Sequence, residues 1–174
     1  MKVIADSKLT LKPFEEEHLL EFVEAVRESV GAWMTWSHKE YSEADALSWF
    51  ELCQLNIQNQ SAYDIGIFLT KTNQLVGGIS INQINRQNNL GNIGYWVRES
   101  NRNQGIALSA VDLITTFGFN ELGLTRLEIV VLEDNETSRK IAEKAGAKFE
   151  CIAENRLIHN GKAMPAAVYS LVPQ

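Results

Sequence analysis

Apolar residues recur along this chain with two periods, and the switches between them mark a protein of mixed α and β structure. Residues 8–13 alternate around Leu9 and Leu11 and end at Pro13, the signature of a short strand. Leu19, Phe22, Val23, Val26 and Val30 then recur at helical spacing, and Glu15, Glu16 and Glu17 suit a helix start, which predicts a helix over 15–30. A second helix is predicted over 43–58, with Ser42 as its N-cap and Ala46, Phe50, Cys53 and Ile57 on its apolar face. Tyr63, Ile65, Ile67 and Leu69 return to period two over 63–70, a strand with one buried face. A turn at 71–74 and a strand over 75–82 complete a hairpin, and a polar loop at 85–89 leads into a strand over 90–98.

Ile106, Ala110, Ile114 and Phe117 mark a helix over 104–122, closed by Gly123. The β-branched run at 125–133 reads as a strand near the sheet centre. A short helix over 136–145 is entered at Asp134-Asn135 and closed by Gly146. Strands at 148–158 and 164–172 flank His159-Asn160-Gly161-Lys162, where Asn-Gly marks a type I′ hairpin turn. The order β-α-α-β-β-β-α-β-α-β-β predicts an α/β (α+β) protein, a mixed sheet of about seven strands with helices on its faces. The 174 residues suit one domain.

Two segments carry candidate chemistry. Residues 102–107 (Arg102, Asn103, Gln104, Gly105, Ile106, Ala107) join a strand to a helix. A glycine-containing turn that opens a helix presents free N–H groups and the positive end of the helix dipole, a site for phosphate. The same hexapeptide also serves as an ordinary strand-to-helix loop. Asn135 and Ser138 stand after the next strand, where both residue types favour helix starts. If the strands at 90–98 and 125–133 pair in parallel through the helix between them, both segments fall at one sheet edge, where ligands of such sheets collect.

Composition narrows the picture. A net charge of -6 argues against a general nucleic-acid binder, and no apolar run reaches the length of a membrane span or a signal peptide, so a cytoplasmic location is expected. His18, His38 and His159 are scattered and make no metal site. Cys53 and Cys151 read as two buried thiols, with a bridge left open. A homodimer is among the assemblies the sequence allows.

The turn at 102–107, the helix end from Phe119 to Leu124, the strand from Arg126 to Ile129, and Asn135 to Ser138 followed by Glu143 to Gly146 together resemble the GCN5-related N-acetyltransferase (GNAT) superfamily. More narrowly, the chain is similar to its RimJ/RimL-type ribosomal-protein N-acetyltransferase branch. Leu75 to Ser80, Ile93 to Val97, Leu9 to Pro13 and Val168 to Leu171 match as well. The resemblance implies a mostly antiparallel sheet with a splayed central parallel pair and acetyl-CoA as the acetyl donor. It places the pyrophosphate on the amides from Arg102 to Leu108, with Ala107 at the small position of the motif. The pantetheine arm lies along the strand near Val97, whose neighbourhood supplies an oxyanion-hole N–H, and is held by Asn135. Ser138 matches the serine proposed to protonate the departing thiolate.

The acceptor implied is a primary amine, foremost the N-terminal α-amine of a protein such as a ribosomal protein. Trp33 and Trp36 fall in the segment that borders the acceptor site in this superfamily, and they equally suit core packing. The family's basic glutamate aligns here with Arg156 or Leu157, and an acidic position of many relatives is Pro165. Glu154 and Glu128 remain as carboxylates near the expected place, with a surface ion pair as the other role for Glu128. Two alternatives stay open: acetylation of a small amine such as a polyamine, amino acid or drug, and a non-catalytic acyl-CoA-binding module.

Overall fold

Strand and helix periods resolve into one eight-stranded sheet with four α-helices in a computed structural model that describes residues 1–29, 31, 33–34 and 36–173. The strands are β1 (Ile4–Ala5), β2 (Leu9–Lys12), β3 (Tyr63–Leu69), β4 (Leu75–Asn85), β5 (Leu90–Val97), β6 (Arg126–Leu132), β7 (Lys148–His159) and β8 (Lys162–Leu171). Their order across the sheet is β1-β2-β3-β4-β5-β6-β8-β7. The count exceeds the expected seven because of β1, which pairs only Ile4 and Ala5 with β2 and is too short for a period to show. The strand expected to end at 82 continues to Asn85 past an irregularity between Asn82 and Asn85, where Gln83 takes a positive φ of 50°.

The helices are α1 (Leu19–Glu28), α2 (Glu43–Gln58), α3 (Ile106–Asn120) and α4 (Glu136–Lys144). The acidic run before α1 forms a 3₁₀ turn, Glu16–His18, rather than the first turn of the helix. Val30, expected at the helix end, lies outside the described residues, as does Thr35 between the two tryptophans. Ser42 caps α2 as its type predicts: Ser42 Oγ accepts from the Asp45 N–H at 3.2 Å, and the Ser42 N–H donates to Asp45 Oδ2 at 2.8 Å.

Both faces of the sheet are buried at β3 and β4. Ile65, Ile67, Ile79, Ile81, Ile93, Leu127 and Ile129 pack beneath α3, which contributes Ala110, Val111, Ile114 and Phe117. On the other face Phe68 joins Phe14, Phe22, Val26 and Phe50 under α1 and α2. This corrects the expectation of one buried face for β3, since two helices cover the second side. Cys151 is likewise exposed, whereas Cys53 is buried, and both are free thiols. Cys151 lies on β7, the outermost strand, which has a neighbour on one side only. The β7–β8 turn has the expected form, with φ of 49° at Asn160 and 75° at Gly161. No helix among the described residues is long and apolar enough to cross a membrane.

One break in the sheet positions everything that follows. β5 and β6 are the parallel pair, and they are in register only from Leu90 to Asn92 against Arg126 to Glu128. Beyond that β5 continues along β4 as far as Val97 opposite Gly77, while β6 continues along β8 as far as Leu132 opposite Ala166. Each strand keeps one partner, and the two edges that face each other carry no ladder.

Candidate active site

The splay between β5 and β6 opens a cleft of about 1040 Å³ lined by Ile93 to Val97 on one side and Ile129 to Leu132 on the other. Backbone N–H and C=O groups along those edges have no sheet partner, so an extended, amide-bearing ligand can complete the ladder there. At one end stands the turn before α3. Asn103 and Gly105 both have positive φ, 61° and 73°, which curls successive N–H groups toward one side as an anion-binding concavity. Gly105 is the N-cap of α3 and offers no side chain, so the first-turn N–H groups are left uncapped. By contrast, Ser42 caps α2 and Asn135 caps α4. A Cβ built on Gly105 would meet only Lys8 Nζ, at 3.6 Å, so the space before the turn is open.

The predicted cradle is trimmed at two residues. The Arg102 N–H is already bonded to the Glu99 carbonyl at 3.2 Å, so the amides free for an anion begin at Asn103. Gln104 turns away from the cleft, and its carbonyl accepts from Lys8 Nζ at 2.9 Å. Arg102, Asn103, Gly105, Ile106, Ala107 and Leu108 line the cleft, joined by Lys140 and Lys144 from α4. Among the described residues, three cations and no carboxylate therefore face this cavity, on a chain of net charge -6.

Asn135 and Ser138 reach the same cleft from the start of α4. Asn135 Oδ1 accepts the Ser138 N–H at 3.2 Å, the capping bond, which leaves the side-chain NH₂ for other partners. The Tyr95 hydroxyl donates to the Ser138 carbonyl at 3.2 Å and ties β5 to α4 across the gap. Burial pushes the Tyr95 phenol up to about 12, so it keeps its proton at neutral pH. Val97 lines the cleft at the far end of β5.

A second cavity, of about 720 Å³, opens on the other face of β5 and shares Trp33, Met34, Gly94, Tyr95 and Trp96 with the first. Trp33 and Trp36 are 50% and 46% exposed, so both line this space without being core residues. Trp36 packs edge-on against Trp96 with centroids 5.8 Å apart, and Trp33 reaches His159 at the tip of the β7–β8 hairpin. Trp96 lies over Gly78, where a Cβ would come within 2.5 Å of its indole nitrogen, so only glycine there lets the ring form this wall. Among the described residues the lining includes Asp45, Asp64 and His38 and no lysine or arginine.

Glu128 is not placed as a free base. Its carboxylate meets Arg126 at 2.9 Å and Arg156 at 3.6 Å, and it lines neither cavity. Arg126 also holds Glu150 in a two-pronged pair at 2.6 and 2.8 Å, which, helped by Ser170, keeps the Glu150 carboxyl at about 2. Position 156 thus belongs to an ion-pair network, while the aliphatic Leu157 faces the cleft. Glu154 is exposed beside the irregularity between Ala153 and Leu157.

Residues 8–148 match the sequence profile described as the acetyltransferase (GNAT) domain. This chain belongs to the GNAT acetyltransferase family. A Bacillus subtilis (strain 168) protein, YdaF, provisionally named a ribosomal N-acetyltransferase, is 28% identical to the acetyltransferase over 93% of this chain and 88% of its own length. A solved structure from Vibrio cholerae, provisionally described as a ribosomal-protein-serine acetyltransferase, is 30% identical, with a TM-score of 0.85 over 99% of this chain and 98% of that one. RimL, an L7/L12 α-N-protein acetyltransferase solved in complex with coenzyme A, has the same fold at 22% identity, with a TM-score of 0.87 over 98% of each chain. Acetyl-CoA is the acetyl donor of the acetyltransferase, and the open, cation-flanked turn and unpaired strand edge suit its diphosphate and its amide-bearing arm.

Several residues of the site carry no local signal. Glu28, at the end of α1, accepts from Arg98 Nε at 2.7 Å and from the Ser100 N–H at 2.6 Å, and Ser29 Oγ accepts from the Glu99 N–H at 3.1 Å. Burial alone would raise the Glu28 carboxyl, but the bonds from Ser100 and Arg98 outweigh it and hold it at about 2. These bonds pin the segment that leads into the turn at 102–105. Glu28→Ala is expected to weaken acetyl-CoA binding roughly tenfold by loosening that segment, in line with the usual worth of a charged hydrogen bond. Calorimetry with acetyl-CoA checks it, and an unchanged affinity would show that the turn holds its shape alone.

Proposed function

We propose that this acetyltransferase, as one domain over 1–174, acetylates the N-terminal α-amine of a protein, foremost a ribosomal protein in the cytoplasm. The observation that carries the reading is the opposite charge of two cavities that meet at Gly94 to Trp96. The cationic side suits a diphosphate and the carboxylate-bearing side suits an ammonium. The ribosomal-protein names of full-length relatives support a protein acceptor. So does the sheet surface itself. Helices α1 and α2 pack against β3 and β4, and the same face of β6 and β8 carries the Arg126, Glu128 and Ser170 polar groups, where a peptide can lie.

Acetyl-CoA supplies a thioester that an amine can attack. The N–H groups of Asn103 and of Gly105 to Leu108 hold its diphosphate, with Arg102, Lys140 and Lys144 adding charge. Residues 93–97 of β5 and the Asn135 amide hold the extended arm, and an N–H near Val97 polarises the thioester carbonyl. Ser138, which lines the cleft, gives a proton from its hydroxyl to the leaving sulfur, and the Tyr95 hydroxyl holds its backbone carbonyl. An α-amino group has a pKa of about 8, so part of it is neutral at cellular pH and a dedicated base is unnecessary. Glu128, committed to two arginines, is left outside this scheme. Positioning both reactants in one cleft supplies much of the rate.

Ser138→Ala is expected to lower kcat about tenfold, below the usual range of general acid effects because a thiolate leaves readily. Acetyl-CoA affinity should stay within about twofold, since the capping bond uses the Ser138 backbone N–H, which alanine keeps. An undiminished kcat would remove Ser138 from the mechanism. The second reading, a small-amine acceptor, is favoured by the aromatic lining of the 720 Å³ cavity. Kinetics with peptides bearing ribosomal-protein N-termini against simple alkylamines decide between them, and turnover confined to small amines would sink the protein-acceptor reading.

A further inference from the structure

Asp64 stands apart from the machinery described so far. It lies on β3, opposite Ser80 of β4, which in turn lies opposite Gly94 of β5. All three line the second cavity. Strands repeat about every 4.8 Å, so Asp64 is about 10 Å from Gly94, where the two cavities meet. That separation is too long for Asp64 to take a proton directly from an amine reacting beside β5. It suits contact with a different group of the same acceptor.

The surroundings define what that group is. No lysine or arginine lines the cavity among the described residues. The other carboxylate, Asp45, is engaged with Ser42 in the α2 cap. The groups that face Asp64 are Ser80 of β4 and Asn56 and Cys53 of α2, all uncharged, with His38 and Tyr41 farther along the lining. Burial raises the Asp64 carboxyl, and the polar side chains of Ser80 and Asn56 oppose the rise. A half-buried carboxylate with no cation is costly, and a ligand that brings a cation removes the cost. Trp36, Trp49, Trp96 and Tyr41 line the route with π faces that favour a positive group.

We infer that Asp64 is a specificity residue of the acceptor site, binding a second cationic group of the acceptor about two strand spacings from the amine that is acetylated. The acceptor class is therefore dicationic. For a protein N-terminus, the second charge is a lysine or arginine side chain in its first residues. For a small amine, it is the far end of a diamine. The assignment deepens the proposed function and rests on it for the identity of the amine that reacts.

Two matched series test it. One compares peptides that differ only by lysine or norleucine at the second position. The other compares 1,5-diaminopentane with pentylamine. The wild-type enzyme is expected to favour the cationic member of at least one series about 10- to 100-fold in kcat/KM, the worth of a charged hydrogen bond. In D64N that ratio falls to about one, with the change in KM, whereas D64E keeps part of it. Acetyl-CoA affinity, measured alongside, reports that each variant is folded. Wild-type enzyme without a preference, D64N losing both members of a pair equally, or no turnover of either series would overturn the inference. If peptides are inert while the diamine preference depends on Asp64, the protein-acceptor reading falls and the Asp64 assignment stands. If peptides turn over without a lysine preference and the diamine shows none, the reverse holds.

Discussion

Gly105→Glu is expected to abolish useful acetyl-CoA binding. Gly105 has φ of 73° and ψ of 10°, the left-handed region, where a side chain costs about 1–2 kcal/mol. The larger effect is electrostatic. A carboxylate about 4 Å from a diphosphate, at an effective dielectric near 20, is repelled by about 4 kcal/mol per unit charge. Allowing for the side chain swinging outward, affinity should fall roughly 100- to 1,000-fold. Gly105→Ala separates the two effects. Its methyl meets only Lys8 Nζ at an ordinary 3.6 Å, so only the backbone cost remains and affinity should drop less than about tenfold. Calorimetry with acetyl-CoA measures both. Equal affinities for wild type and the glutamate variant would refute the phosphate cradle.

Phe22→Ala should produce the largest loss of stability. Phe22 is fully buried on α1 and its ring packs against Phe14 at 5.0 Å, Phe50 at 5.1 Å and Trp96 at 5.9 Å. Removing a buried phenylalanine ring costs about 3–5 kcal/mol through lost burial and the cavity left behind. For a chain of this size that is roughly 6–20 °C in Tm. The same ring backs Trp96, a wall shared by both cavities, so acceptor kcat/KM should fall further than acetyl-CoA affinity does. Thermal unfolding and steady-state kinetics test the two halves. A loss under about 1 kcal/mol would mean that Phe14 and Phe50 close the gap.

What was legible in the chain follows from the range of each interaction. Amphipathic periods, the Ser42 cap, the Asn160-Gly161 turn and the glycine that opens α3 are local devices, and each does in the fold what its residue type predicts. The donor side is legible because it rests on backbone: N–H groups at a helix start and a strand edge need only the right turn in the right place. The acceptor side is built from side chains brought together across long stretches. Asp64, Ser80 and Gly94 meet only through strand register, and Glu28 braces a segment 70 residues away. Glu128 shows the same limit. Its position on the central strand allowed either a base or an ion pair, and the packing of Arg126 and Arg156 reveals the ion pair. Cys151 was expected to be buried as a strand residue, but burial depends on which strand ends up at the edge of the sheet.

The amino-acid order alone therefore determined the elements, the parallel unit around α3 and a turn suited to an anion, because patterning, capping and helix starts act over a few residues; the acetyl donor followed from the resemblance of the whole chain to its family. Tertiary structure alone decided where β5 and β6 part, which carboxylates are paired, and which line the aromatic cavity. Those outcomes depend on strand register and on helix packing from distant parts of the chain, and no window of sequence contains them.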